Sequence, residues 1–407
     1  MILMSLDDVR PGMLVGIGLR NREGRLVLGP GVALTPEYVG RLRQLGYSAV
    51  WIDDADTRDI PHEEMLSDQT RVATTVAIQD TFAATLHAAG GRRAVSVDEV
   101  RSTLESRRFQ QSFQDGGAVE RLSGQVDQVV GEVLNGAVLT GLGSLRTHST
   151  YVFHHCLDVA ATAAVIGRLL GYDRPTLKKL AVGCILHDIG TIFLDGELAE
   201  RPDPLTPAEH RRVADHPVLG YLFVRDSLGL GAQAAHVAYQ HHERQDGTGY
   251  PRGLKGSNRI TQGSEIHMPG RIMALGEIAA IADFHDACSS ERPDRPRLAP
   301  DEAWQVVRGA AGDHLNRELV ELFLSVLPPY PLGTQVLVTT GRWRDHSGVV
   351  ARVNQGALDR PMIRVLADAA GTRVAAVDVD LRKEDATIKG VIGSFECTRG
   401  QSAASVS

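Results

Sequence analysis

His241-His242-Glu243-Arg244-Gln245-Asp246-Gly247-Thr248-Gly249-Tyr250-Pro251 follows an apolar segment that begins near Ala232. The segment reads as helix from about Ala232 to Glu243. Neighbouring residues on a helix diverge by about 100°, so His241 and His242 can flank one ion. Past Glu243 the glycines, the Asp and the Pro mark a loop. Its glycines let backbone approach a ligand closely, and Tyr250 offers both a ring and a hydroxyl. Alone, this is a helix end that carries histidines. Its weight comes from the helices on either side.

Upstream, Thr206-Pro207-Ala208-Glu209 is a capping box with proline at the first helical position, and it leads to His216-Pro217, where the proline bends or restarts the helix. Before that, Leu177, Leu180 and Cys184 form an apolar stripe whose next inward positions are His187 and Asp188, with Gly190 placed to stop the helix. A His-Asp pair at a buried helix end is costly unless partnered. A metal ion satisfies the imidazole nitrogen and the carboxylate oxygen together. Earlier still, Val152, Cys156, Val159, Ala163, Ile166 and Leu170 make a core-facing stripe with His155 on its edge.

Downstream, the stripe Ile272, Leu275, Ala279 and Ala282 runs into Asp283 and Asp286, and acidic groups there want a cation or a strong partner. Arg292 and Arg295 follow, and such arginines can clamp phosphate oxygens. A single histidine or arginine at any of these places reads as packing or as a solvated loop. The ordered set His155, His187, Asp188, His216, His241, His242 and Asp283 reads as one shared metal centre.

The rest of the composition bounds the molecule. At 407 residues, two to four structural units are expected. Hydrophobic residues at 43% and charged residues at 23% argue against global disorder. A net charge of −7 and only 5% aromatic residues argue against a nucleic-acid polymer as partner. Cys156, Cys184, Cys288 and Cys397 lie far apart with no CxxC spacing, so neither a zinc knuckle nor a redox motif is indicated. The first residues lack a cationic leader pattern, and no run approaches the ~20 apolar residues of a membrane span. A cytoplasmic location is expected.

The chain reads as multidomain and mainly α. Residues 1–55 read as a small β-rich module, with strands over Met13–Leu19 and Arg25–Leu28, a helix started by Thr35-Pro36 and stopped at Gly46, and a return strand at Val50-Trp51-Ile52. Residues 56–145 read as a linker and a helical spacer of two or three helices, broken at Gly90-Gly91 and Gly116-Gly117. Ser96-Val97-Asp98-Glu99 supplies a capping box there. The helices of 67–145 are the expected surface for a homodimer or for protein signalling partners. Residues 146–328 hold the histidine-bearing helices. After Pro328-Pro329-Tyr330-Pro331 the period becomes two, and strands at Gln335–Thr340, Gly348–Val353, Met362–Leu366 and Val374–Asp380 suggest a small β-barrel over 329–393, followed by a disordered tail over 394–407.

The ordered set in 146–328 resembles the HD-GYP domain, a branch of the HD phosphohydrolases. The name-giving His-Asp is His187-Asp188, and the name-giving Gly-Tyr-Pro is Gly249-Tyr250-Pro251. The resemblance implies an all-α HD-type helical bundle that hydrolyses cyclic di-GMP, through a bridging hydroxide at a two-metal centre, to pGpG and onward to GMP. It implies that His155, His187, Asp188 and Asp283 hold one divalent ion, with Asp188 bridging to a second held by His216, His241 and His242. Iron or manganese suits this mixed ligation, with zinc as an alternative. Some relatives carry a Glu one turn before His155 for a third ion. Here that residue is Tyr151, so two are expected. Gly249, Tyr250, Pro251, Arg292 and Arg295 are expected at the substrate.

One departure bears on catalysis. Relatives usually carry Lys after the His-Asp-x-Gly stretch, and here it is Thr191. Asp188 and Thr191 are therefore the positions expected to set the rate, with activity reduced by loss of the cation. The alternatives are a weakly active or non-catalytic cyclic di-GMP receptor, or a hydrolase of another cyclic dinucleotide.

Overall fold

The computed structural model describes residues 1–21, 25–62, 64–91, 96–114, 117–136, 151–194, 206–227, 231–261, 270–290 and 297–392. The first module pairs β1 (Ile2–Ser5) antiparallel with β4 (Ala49–Ile52), and β2 (Leu19–Arg20) with β3 (Leu26–Leu28). Helix α1 (Pro36–Gln44) starts where the Thr35 hydroxyl accepts the Tyr38 N–H, and the chain turns out of it at Gly46 with φ 86°. The continuous strand expected over Met13–Leu19 is not formed. It is reduced to β2 and two isolated bridges, Leu14 with Ala33 and Val15 with Ile52. The reason is close crossing: a Cβ on Gly16 would lie 3.1 Å from the Asp53 nitrogen. Strand β1 was not anticipated.

Residues 67–136 form four helices rather than two or three: α2 (Asp68–Ala88), α3 (Val97–Glu105), α4 (Arg107–Gln114) and α5 (Ala118–Asn135). The extra break falls at Ser106, whose hydroxyl accepts the Phe109 N–H at 3.2 Å and so caps α4. Leu122, Val126, Val129 and Val133 of α5 recur at helical spacing and are buried. They belong to one hydrophobic core that runs from Leu66 to Leu327. These apolar faces are thus used inside the chain.

The same core contains α6 (Tyr151–Leu169), α7 (Arg174–Ile185), α9 (His216–Ser227), α10 (Ala232–Gln240), α11 (Ala274–Ser289) and α13 (Arg317–Leu324), with α8 (Pro207–Val213) and α12 (Pro300–Gly309) beside them. The span Val152–Leu169 is long and apolar enough to cross a membrane, yet 72% of it is buried within the fold. On α6 the stripe Cys156, Val159, Ala163 and Ile166 is fully buried, while its first member, Val152, is 42% exposed. Cys156, Cys184 and Cys288 are buried thiols outside any disulfide, and burial lifts the Cys184 thiol to about 12, out of reach of reactive chemistry at neutral pH. Cys397 lies outside the described residues.

The last module is a five-stranded antiparallel sheet of β5 (Gln335–Val338), β6 (Ser347–Arg352), β7 (Met362–Ala367), β8 (Arg373–Asp380) and β9 (Ile388–Gly390), in the order β8-β7-β6-β5-β9. Four strands fall where alternation placed them, and β9 is additional. Among the described residues no pairing joins β8 to β9, so the sheet is open rather than the barrel expected.

This sheet docks on the first module. Ile2, Ile60, Val349 and Leu366 form a joint apolar cluster. Arg364 binds both oxygens of Asp59, both oxygens of Asp378 and the Asp56 carbonyl, and Arg373 reaches Asp54 and Asp56, each at 2.7 Å.

Candidate metal centre

Five helix ends or faces deliver the chemistry. His155 comes from α6. His187 and Asp188 leave the end of α7 and enter a 3-10 turn, Ile189–Phe193. His216 opens α9, because the chain breaks after α8 and restarts at the proline-bearing turn. Helix α10 ends at Gln240, so His241 and His242 sit in the turn beyond it rather than within the helix. Asp283 lies on α11.

Asp188 stands at the meeting point. Its Oδ2 is 3.3 Å from His187 Nε2 and 3.8 Å from His155 Nε2, while its Oδ1 is 3.2 Å from His216 Nε2 and 3.8 Å from His241 Nε2. Asp283 Oδ1 lies 3.3 Å from His155 Nε2. Two groups result, Asp188 with His216, His241 and His242, and His155 with His187 and Asp283. Within each, the candidate ligand atoms all lie within 4.8 Å of one another.

The imidazoles are held so that lone pairs face inward. The Nδ1 atoms of His187, His216 and His241 lie 2.6, 2.7 and 2.8 Å from the carbonyls of Cys184, Val213 and Ala238. A carbonyl only accepts, so Nδ1 carries the proton and Nε2 is the free donor atom. Burial, with His242 beside it, pushes His241 well below its usual range, and burial with His216 does the same to His242, so both are neutral. Burial opposes charge on Asp188, yet His187 and His216 hold its carboxyl well below the ordinary range. Burial likewise opposes charge on His155, but Asp283 and Asp286 more than offset it and raise its pKa. Asp188 likewise more than offsets burial at His187 and raises its pKa. Imidazole nitrogens, neutral at His241 and His242, converging with the ionised Asp188 carboxylate on one space are the donor chemistry of a divalent transition metal, so the residues fit the ions the sequence implied.

Supporting residues were less visible in the sequence. Asp286 Oδ2 accepts the His155 Nδ1 proton at 2.7 Å, the arrangement that orients a ligating histidine. Its signal is its place one turn after Asp283 on the same helix. Glu243 is buried and accepts the backbone N–H groups of Arg252 and Leu254 at 2.8 and 2.7 Å, which closes the loop that carries Tyr250. Gly190 is not a left-handed helix stop. It sits in the 3-10 turn, where a Cβ would lie 2.1 Å from the His216 carbonyl oxygen. Gly190 therefore permits the backbone contact that brings Asp188 to His216.

The Tyr250 ring packs on His242 with centroids 4.7 Å apart, so the Gly249-Tyr250-Pro251 loop forms one wall of the centre. A Cβ on Gly249 would lie 2.5 Å from the Arg244 nitrogen and the His242 oxygen, which explains the glycine. The Thr191 hydroxyl donates to the Asp188 carbonyl at 2.7 Å, so it braces the turn. Arg292, Arg295 and the side chain of Tyr151 lie outside the described residues.

The HD-domain family profile matches residues 135–319. The chain is 27% identical over 335 residues to the cyclic di-GMP phosphodiesterase PA4108 of Pseudomonas aeruginosa, covering 80% of this chain and 75% of that protein. It is 31% identical over 199 residues to a cyclic di-GMP phosphodiesterase of Thermotoga maritima, with 48% of each chain covered. It is 30% identical over 160 residues to 3'3'-cGAMP-specific phosphodiesterase 1 of Vibrio cholerae, covering 39% of this chain and 34% of that one. The chain thus spans three quarters of the first relative and half or less of the other two. Residues 135–319 thus match the HD-domain family, and within them lie the residues gathered around Asp188 and the Gly249-Tyr250-Pro251 loop of the HD-GYP pattern.

Proposed function

We propose that this chain is a cytoplasmic, metal-dependent phosphodiesterase that hydrolyses cyclic di-GMP to pGpG. The observation that carries this reading is Asp188, with one oxygen toward His155 and His187 and the other toward His216 and His241. In the proposal His155, His187, Asp188 and Asp283 hold one ion, and Asp188, His216, His241 and His242 hold the other, with iron or manganese suited to the mixed donors. Two such ions would neutralise the phosphodiester charge, lower the pKa of a water and stabilise the leaving oxygen.

The chain's own part is positioning. Backbone carbonyls aim three Nε2 atoms inward, Asp286 aims His155, and Glu243 holds the loop that presents Tyr250. Tyr250 would stack a guanine or contact a phosphate, and Arg292 and Arg295 would receive phosphate oxygens. Catalysis is assigned to 146–328, with 1–55 and 329–393 as accessory modules.

The test is one preparation, loaded with manganese or iron, assayed for metal content and for turnover of cyclic di-GMP and 3'3'-cGAMP. Asp188→Ala should abolish metal retention, His187→Ala should lose the ion of its own group, and both should abolish turnover. A fully loaded wild-type protein that cleaves neither dinucleotide sinks the proposal. Tight binding without cleavage would identify a receptor instead. Thr191→Lys, which restores a cation beside the phosphate, should raise turnover by on the order of 10²–10³ if that group stabilises developing charge.

A further inference from the structure

The loop that carries Gly249-Tyr250-Pro251 closes on itself at one residue, Gln245. At the start of the loop its backbone N–H donates to the His314 carbonyl at 3.1 Å. The returning chain meets it twice. The Gly256 N–H donates to the Gln245 carbonyl at 3.2 Å, and the Asn258 N–H donates to Gln245 Oε1 at 3.0 Å. A Cβ on Gly256 would overlap Gln245 Oε1, so any side chain there would displace the amide.

Beneath this closure lies Glu277 of α11, which is 4% exposed and outside the groups gathered around Asp188. Its Oε1 accepts Gln245 Nε2 at 2.7 Å, and its Oε2 accepts Asn316 Nδ2 at 3.0 Å. Neither amide can turn over to offer an oxygen instead. Gln245 Oε1 is committed to the Asn258 N–H, and Asn316 Oδ1 to the Leu319 N–H that it caps. Asn316 Nδ2 also donates to the Arg259 carbonyl at 2.9 Å. Position 277 therefore faces two fixed donors. A carboxylate accepts from both, whereas a protonated carboxyl or an amide sets one donor against another. Burial lifts the Glu277 carboxyl to about 7, with Gln245, Asn316 and Arg271 opposing it. The fold thus keeps an anion where burial penalises one, and the contacts this anion makes are those that close the loop.

We propose that Glu277 is a positioning residue for the hydrolysis: its carboxylate locks Gln245 and Asn316, these fix the returning chain at Asn258 and Arg259, and the closed loop presents Tyr250 at the metal centre. The effect on turnover rests on the proposed function. The effect on the loop rests on the hydrogen bonds alone.

The test compares variants of the full chain with the wild type at pH 8, where Glu277 is ionised. Glu277→Gln keeps the shape and leaves one donor without an acceptor. Gln245→Met removes the closure. A double variant, Gln245→Glu with Glu277→Gln, rebuilds every contact with the charge moved to the other partner. Each is read for hydrogen exchange over residues 252–260, for metal content, and for KM and kcat on cyclic di-GMP after loading with manganese. Glu277→Gln and Gln245→Met should each raise exchange and KM about tenfold, with kcat within about twofold and metal content unchanged. The double variant should return exchange and KM to within about threefold of the wild type. A merely structural role would make KM follow stability, whereas Glu277→Gln should raise the thermal midpoint at pH 8 and still raise KM. Wild-type exchange and KM in Glu277→Gln overturn the inference. So does a double variant no better than Glu277→Gln, or loss of metal from Glu277→Gln. Where Gln245→Met does not fold, the other two variants decide. A wild-type protein that cleaves no cyclic dinucleotide sinks the proposed function, and the exchange pattern then decides this inference by itself.

Discussion

His216 Nε2 and His241 Nε2 stand 3.2 Å apart, each in a ring whose Nδ1 donates to a backbone carbonyl. Two lone pairs at that distance repel unless a cation lies between or beside them. His241→Ala should therefore remove the ion of that group and leave the ion on the His155 side. Elemental analysis should fall from about two ions per chain to about one, whereas Asp188→Ala should fall to none, since Asp188 serves both groups.

The His155–Asp286 contact at 2.7 Å predicts a graded effect. Asp286→Asn keeps the shape and removes the charge that orients the ring and strengthens its basicity. Metal affinity should drop about 10–100-fold with the fold intact. Competition with a chelator measures this, and an unchanged affinity would show that Asp286 only packs.

Gly190 meets the backbone of α9 with no room for a side chain. Gly190→Ala must push the 3-10 turn away from His216, and since neither partner is a flexible side chain the cost should be about 3 kcal/mol or more. The expected result is a lowered thermal midpoint together with loss of metal, because the displaced residue adjoins Asp188.

Glu277 gives the pH dependence a definite sign. Burial lifts its carboxyl from 4.5 to about 7, although Gln245 and Asn316 both donate to it. The native state then holds a proton more tightly than the unfolded chain. That contribution is fully present below pH 4.5 and is lost as pH rises through about 7, a difference of about 3 kcal/mol. Glu277→Gln should match the wild type near pH 4.5 and be the more stable protein at pH 8. Denaturation of both proteins at the two pH values checks this, and parallel pH profiles would refute it.

Arg364 is 14% exposed at its side chain and grips Asp59 and Asp378 with paired contacts. Arg364→Ala should weaken docking of the last sheet on the first module by about 1–3 kcal/mol while leaving the helical body intact. Hydrogen exchange should rise about 5–100-fold at residues 54–60 and in β1, and stay unchanged in α6.

The site was legible because each candidate ligand ends or borders an apolar stripe, so periodicity alone placed His155, His187 and Asp283 toward the interior. The bridging role of Asp188 came only from the family resemblance; the structure places one of its oxygens toward His155 and His187 and the other toward His216 and His241. Asp286 was noted as wanting a partner, but that partner, and the one of Glu243, stayed hidden because the tertiary fold sets them: Asp286 meets a residue 131 positions away. Gly190 was misread because a helix-stop glycine and a close-packing glycine look alike in one dimension. Alternation located four strands of the last sheet. It missed β1 and β9, which have four and three residues and owe their pairing to partners far along the chain.

The docking of the two β modules has a consequence in time. Asp59 and Arg364 are separated by 305 positions. At ~5–20 residues per second, a ribosome needs about 15–60 s to travel that distance. Throughout that interval Ile2 and Ile60 have no Val349 or Leu366 to cover them. The first module is thus completed by a sheet made some 305 positions later. Every nascent chain passes through a period in which the first module carries an uncovered apolar patch.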